Sequence, residues 1–236
     1  MSHEAEGASA MEALYPFLYS GASDLADLMA EVRASTLAKT KEIAELRGVV
    51  VAREATRLAN CAEDMAARFA AGGRLFAFGN GGSATDAQEL ATLFLSPGGG
   101  APALPAFGLA NDTSVVTALC NDVGVEVVFA RQLAAFGRRE DIAVGLSTSG
   151  NSETLVRAFA EASRHGMLTV GLAGYEGGVM AELDSIDYLF VAPSTSVHRI
   201  QEAQTTIYHV LWELTLASLD RRGGTNRGGK ARQGPA

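Results

Sequence analysis

Ser147-Thr148-Ser149-Gly150-Asn151-Ser152 sets four hydroxyls around a Gly-Asn turn. An apolar run, Ile142 to Leu146, precedes it and reads as a buried strand. Glu153 to Phe159 follows and opens a helical pattern. Hydroxyl donors therefore stand beside the unpaired N–H groups at the positive end of a helix. That chemistry suits an anion, a phosphate first of all. An ordinary N-cap is the plain alternative, but a cap needs only one such residue. A second loop, Gly79-Asn80-Gly81-Gly82-Ser83, also lies between a strand and a helix. Its glycines let backbone amides approach a ligand, and Asn80 and Ser83 add side-chain donors. It has neither the Lys-Ser/Thr of a P-loop nor the spacing of the dinucleotide fingerprint.

Five short apolar runs carry these loops: Arg74 to Phe78, Ala106 to Ala110, Ile142 to Leu146, Leu168 to Ala173 and Tyr188 to Val191. Helical patterns separate them over Ala84 to Leu95, Thr113 to Leu119, Val125 to Phe136 and Glu153 to His165, with a short one near Met180 to Leu183. His198 to Leu219 forms a long final helix. The alternation predicts an α/β three-layer sandwich whose five-stranded parallel sheet is covered on both faces. Ligands of such sheets sit at the carboxyl ends of the strands, near the reversal of strand order. Both donor loops lie at such ends.

Upstream, Leu25, Leu28, Met29, Val32, Leu37, Ile43 and Leu46 fall at helical spacing, with Ser23 or Asp24 as cap. A second pattern runs from Val49 to Ala71 and stops at Gly72-Gly73. Gly48 between them predicts a long helical hairpin over residues 22–71, part of an oligomer interface. Residues 1–21 form an N-terminal extension in which Met11 to Tyr19 suits a short docking helix. The α/β domain spans 72–220, and the Gly-rich tail 221–236 reads as disordered.

The net charge of −8 is uneven, because the tail holds five cations and no acid, leaving −13 on the rest. An acidic body argues against a nucleic-acid surface and requires local donors to hold any phosphate. No apolar run reaches membrane-spanning length, and Met1 to Ala10 has no basic start of a signal peptide. Cys61 and Cys120 fit no metal or redox spacing and suit a reducing compartment, so the expected location is the cytoplasm.

Five segments then stand in order: the Gly79–Ser83 loop, Asn121-Asp122, the Ser147–Ser152 loop, Gly174-Tyr175-Glu176-Gly177-Gly178 and Arg199-Ile200-Gln201-Glu202. Together they resemble the sugar isomerase (SIS) domain, in the branch of the bacterial phosphoheptose isomerases, from Ala22 to Leu219. The resemblance implies a flavodoxin-like SIS fold and a sugar phosphate ligand. It implies aldose–ketose isomerisation of sedoheptulose 7-phosphate or a related sugar phosphate, and a homotetramer with active sites between subunits. Zinc occurs in some members. A relative of the same fold associates with a replication initiator and has no established isomerase activity. A non-catalytic phosphosugar-binding module with a regulatory or partner-organising role is therefore the alternative.

Carried over residue by residue, the resemblance places phosphate contacts at Ser147, Thr148, Ser149 and Ser152. Sugar contacts fall at Asn80, Gly81, Gly82, Asn121 and Asp122, with Ser83 beside them. Gln201 matches the family's metal or substrate Gln, and His209 its catalytic, metal-binding His. The helix after the glycine loop departs from the pattern: the family has His and then Glu one turn later, whereas this chain has Glu89 and Leu93. Moving a carbonyl between C1 and C2 needs a base and an acid, or a metal on the oxygen. Glu89 and His209 are the expected catalytic pair. Glu89, Gln201 and His209 are the candidate zinc ligands, the carboxylate replacing a His. Gln201 and His209 lie about 12 Å apart along a straight helix, so a shared metal needs long reach or a second subunit. His3, His165 and His198 read as surface residues.

Overall fold

A computed structural model describes residues 25–98 and 100–229, with side-chain environments over 27–98 and 100–222. The expected docking helix and the Ser23 or Asp24 cap lie outside the described residues, as do positions 230–236. The chain divides into two compact units, 1–44 and 45–236.

The first element, α1, is one helix, Leu25–Ala70, of 46 residues. This corrects the expected hairpin. A glycine inside a helix costs about 1 kcal/mol without ending it, and a Cβ at Gly48 would meet nothing within 4 Å. Beyond it Val50, Leu58, Cys61 and Met65 are all buried on one side, so packing carries the helix across the weak point. In the first unit the described part of α1 is exposed apart from the half-buried Ile43, with Met29, Val32 and Leu37 among the exposed residues.

The second unit alternates β1 (Leu75–Gly79), α2 (Gly82–Leu95), β2 (Ala106–Gly108), α3 (Thr113–Asp122), α4 (Val128–Phe136), β3 (Ile142–Leu146), α5 (Glu153–Arg164), β4 (Leu168–Gly174), β5 (Tyr188–Ala192) and α6 (Val197–Gly229). Single 3-10 turns stand at Val125–Val127 and Gly178–Glu182. The sheet order is β2-β1-β3-β4-β5, every pair parallel. β1, β3 and β4 are buried along their whole length, which is why they read as unbroken apolar runs.

Side chains alternate between the faces. Leu75 and Ala77 join Leu58, Met65, Phe94 and Tyr208 on one side. Phe76 and Phe78 join Phe129, Leu133 and Phe159 on the other. The register pairs Gly79 with Leu146 and Leu146 with Leu172, so the strands finish level. Strand order reverses between β1 and β3. The crevice at that reversal is where such sheets hold ligands, and it is flanked by the glycine and serine loops.

α6 runs to Gly229, past the end expected at Leu219. Arg221 and Arg222, assigned to a disordered tail, instead hold the helix: Arg221 donates to Ser218 Oγ at 2.9 Å and Arg222 to the Glu63 carbonyl at 3.4 Å.

Candidate active site

The serine loop leaves β3 at Ser147, which is buried and whose N–H closes the ladder on the Leu172 carbonyl at 2.9 Å. Gly150 turns back with φ 69°, and its N–H donates to Ser147 Oγ at 3.0 Å. Glycine is needed there twice over, for the left-handed backbone and because a Cβ would run into the Gly177 carbonyl. Ser147 Oγ lies 3.5 Å from Ser152 Oγ. Asn151 N–H donates to Ser149 Oγ at 3.2 Å, and the Asn151 amide accepts from Val179 N–H at 2.9 Å. Ser152 precedes the first turn of α5 without capping it through its side chain. Its hydroxyl turns to Ser147 Oγ and not to the helix.

The glycine loop meets the serine loop. Asn80 Nδ2 donates to Thr154 Oγ1, in the first turn of α5, at 2.7 Å. Gly81 takes φ 56° at the start of α2. Ser83 is buried. A Cβ at Gly82 would strike Gln201 Nε2, so α6 brings its amide directly over the loop. Eight of the expected ligand contacts therefore lie in two adjoining loops: Asn80, Gly81, Gly82 and Ser83, with Ser147, Thr148, Ser149 and Ser152.

α2 and α6 face each other along the next two turns. Gln201 Nε2 donates to Asp86 Oδ2 at 3.1 Å. The Tyr208 hydroxyl donates to Glu89 Oε2 at 2.8 Å, and Glu89 Oε1 lies 3.6 Å from His209 Nε2. The His209 ring stacks on Tyr208, with centroids 5.3 Å apart, and meets Trp212 edge-on at 6.4 Å. Burial pushes the Tyr208 phenol up, and the Glu89 carboxylate adds to it; the hydroxyl stays a donor at neutral pH. Burial also raises the Asp86 carboxyl, helped by the Glu89 charge and opposed by the Gln201 bond. Leu93, where the family carries a carboxylate, packs against the core.

Asp86, Thr154 and Tyr208 were missed in the sequence. Asp86 had a signal: it lies three positions before Glu89 and four after Gly82, on one helix face. Asn121 and Asp122 end α3, a helix without a buried residue. Asn121 Nδ2 donates to Asp122 Oδ1 at 2.7 Å, and among the described residues no hydrogen bond ties either to the two loops.

Of the three candidate zinc ligands, a single chain brings two side by side. Glu89 and His209 come together, but Gln201 turns its amide nitrogen to Asp86. Among the described residues no group of three His, Cys, Asp or Glu side chains is placed to hold a metal.

The SIS domain family model matches residues 40–174. The phosphoheptose isomerase of Desulfovibrio desulfuricans is 45% identical over 179 residues, which is 75% of this chain and 84% of the relative. That of Roseiflexus sp. is 40% identical over 190 residues, 80% of this chain and 91% of the relative. Among solved structures, the phosphoheptose isomerase of Neisseria gonorrhoeae superposes with a TM-score of 0.71 at 32% identity, covering 77% of this chain and 97% of that one. The protein of the same name from Francisella tularensis gives 0.67 at 28% identity, over 82% and 98%. The matched span carries both donor loops, and the chain belongs to the SIS domain family, in its phosphoheptose isomerase branch.

Proposed function

We propose that the protein is an aldose–ketose isomerase of sugar phosphates, acting on sedoheptulose 7-phosphate or a close relative. One observation carries this reading: the His209–Glu89 pair stands on the two helices that meet at the glycine loop, and that loop is bonded through Asn80 to Thr154, in the first turn of the helix that follows the serine loop. Ser147, Thr148, Ser149 and Ser152 grip the phosphoryl group through hydroxyls and amides. Asn80, Gly81, Gly82, Ser83 and Gln201 face the sugar. His209 takes the proton from C1 of the ketose as the C2 carbonyl oxygen gains one. The enediol then loses its O1 proton and gains one at C2, giving the aldose. Glu89, held by Tyr208, stabilises the imidazolium between the two transfers.

Asn121 and Asp122 reach a sugar from across a subunit boundary in a homotetramer, which covers the apolar side of α1 and the unburied α3. Free thiols at Cys61 and Cys120 suit a cytoplasmic enzyme. Among the described residues no helix is long and apolar enough to cross a membrane. The reading needs no zinc, so isomerisation in excess chelator is expected to match that of untreated protein. A loss that zinc restores would bring the metal back.

Proton exchange tests the proposal. Incubation with sedoheptulose 7-phosphate in heavy water is expected to place deuterium at C2 of the aldose and C1 of the ketose. Binding of several sugar phosphates without exchange in any would leave the non-catalytic module, the reading that a leucine at position 93 favours.

A further inference from the structure

Gln204 lies on α6 three residues after Gln201 and one turn before Tyr208. It is fully buried, and its Nε2 donates to the Ser147 carbonyl at 3.0 Å. Two other carbonyls of the serine loop are also occupied. The Gly150 carbonyl accepts from Met180 N–H at 3.0 Å, and that of Ser152 accepts from Leu155 N–H at 2.9 Å. The amides of Thr148, Ser149 and Ser152 have no partner among the described residues.

An anion is attracted by N–H groups and repelled by carbonyl oxygens, so the facing of each peptide plane decides whether the loop binds it. In a planar trans peptide the C=O and the following N–H point in opposite directions. The carbonyl that Gln204 holds belongs to the same peptide as the Thr148 N–H. Pulling that oxygen towards α6 turns the Thr148 amide outward. Gln204 Oε1 has no partner among the described residues. A buried amide left half satisfied costs stability, so the bond from its nitrogen is what the residue contributes.

We infer that Gln204 is a positioning residue of the anion site: its amide orients the Ser147–Thr148 peptide so that the Thr148 N–H donates to the phosphoryl group. The inference rests on the reading of the serine loop as the phosphate site. It also joins that site to the helix bearing His209, so phosphate grip and proton transfer share one rigid element.

The experiment measures inorganic phosphate binding by calorimetry alongside turnover of sedoheptulose 7-phosphate. Gln204→Met keeps the length and loses the donor. The expected result is a rise of about tenfold or more in the phosphate Kd and in KM, with kcat within about threefold. In Gln204→Glu the ionised carboxylate repels the Ser147 carbonyl, while the protonated form donates to it. Its phosphate affinity, taken as a ratio to wild type at each pH, is expected to recover as the pH falls. Thr215→Val removes an equally buried donor on the same helix, bonded to the Leu211 carbonyl at 2.6 Å, and is expected to lower Tm with phosphate Kd unchanged.

A folded Gln204→Met with wild-type phosphate affinity overturns the inference. If that variant does not fold, the pH recovery of Gln204→Glu decides, and its absence overturns the inference equally. Wild-type phosphate binding without turnover strikes the isomerase reading alone. No phosphate binding by wild type removes both.

Discussion

His209 and Glu89 sit at 3.6 Å with side chains 39% and 52% exposed. In the free chain their mutual attraction is screened and worth little to stability; their use lies in a substrate-filled site. His209→Ala is expected to cut deuterium exchange by at least about a hundredfold while phosphate binding stays. Tyr208→Phe removes the hydroxyl that aims Glu89 and is expected to lower kcat with KM little changed. Asp86 offers a test in stability. Its folded carboxyl is raised above 3.8, so the folded protein holds that proton better than the unfolded chain does. The stability so gained is present below pH 3.8 and lost as pH rises through the folded value. Asp86→Asn is therefore expected to raise Tm slightly at pH 7, with the gap closing as the pH falls towards 4. The donor loops were legible because their chemistry is local, with hydroxyls and glycines adjacent in the chain. Tyr208 and Glu89 stand 119 positions apart, and no spacing rule brings them together.

At the scale of elements, the five strands fell close to their apolar runs because buried parallel strands tolerate little else. Helix ends were harder to read. Gly48 read as a break, and the packing of Val50 and Leu58 overrode it. Since a Cβ at Gly48 meets open space, Gly48→Ala is expected to stabilise the protein by about 0.5–1 kcal/mol, a Tm rise of about 1–4 °C at this chain size. No change in a thermal melt would contradict an open, strain-free site there. The end of α6 was misjudged for a similar reason. Arginines that composition assigned to a tail find Ser218 and Glu63 within reach once α1 and α6 have packed.

At the scale of the molecule, order 2-1-3-4-5 puts the reversal beside the loops that carry the donors, and the crevice follows from topology alone. The exposed apolar side chains of α1, Met29 at 60% and Val32 at 52%, form the surface that the proposed homotetramer buries. Light scattering behind size exclusion is expected to give four chains for wild type and a smaller species for Met29→Glu/Val32→Glu. A wild-type monomer that still isomerises would sink the assignment of Asn121 and Asp122 to a neighbour's site.

The sequence by itself determined the alternation of strands and helices, the two donor loops and the sign of the ligand they suit. These depend on periodicity and on hydroxyl and glycine chemistry within a few residues. Only the tertiary structure decided which helix faces which. It set Glu89 between Tyr208 and His209, turned Gln201 to Asp86, and laid Gln204 against the Ser147 carbonyl of the serine loop. Those contacts arise from the packing of α2 and α6 over one sheet face, and side-chain pairing across such an interface is fixed by crossing geometry, which neighbours along the chain do not encode.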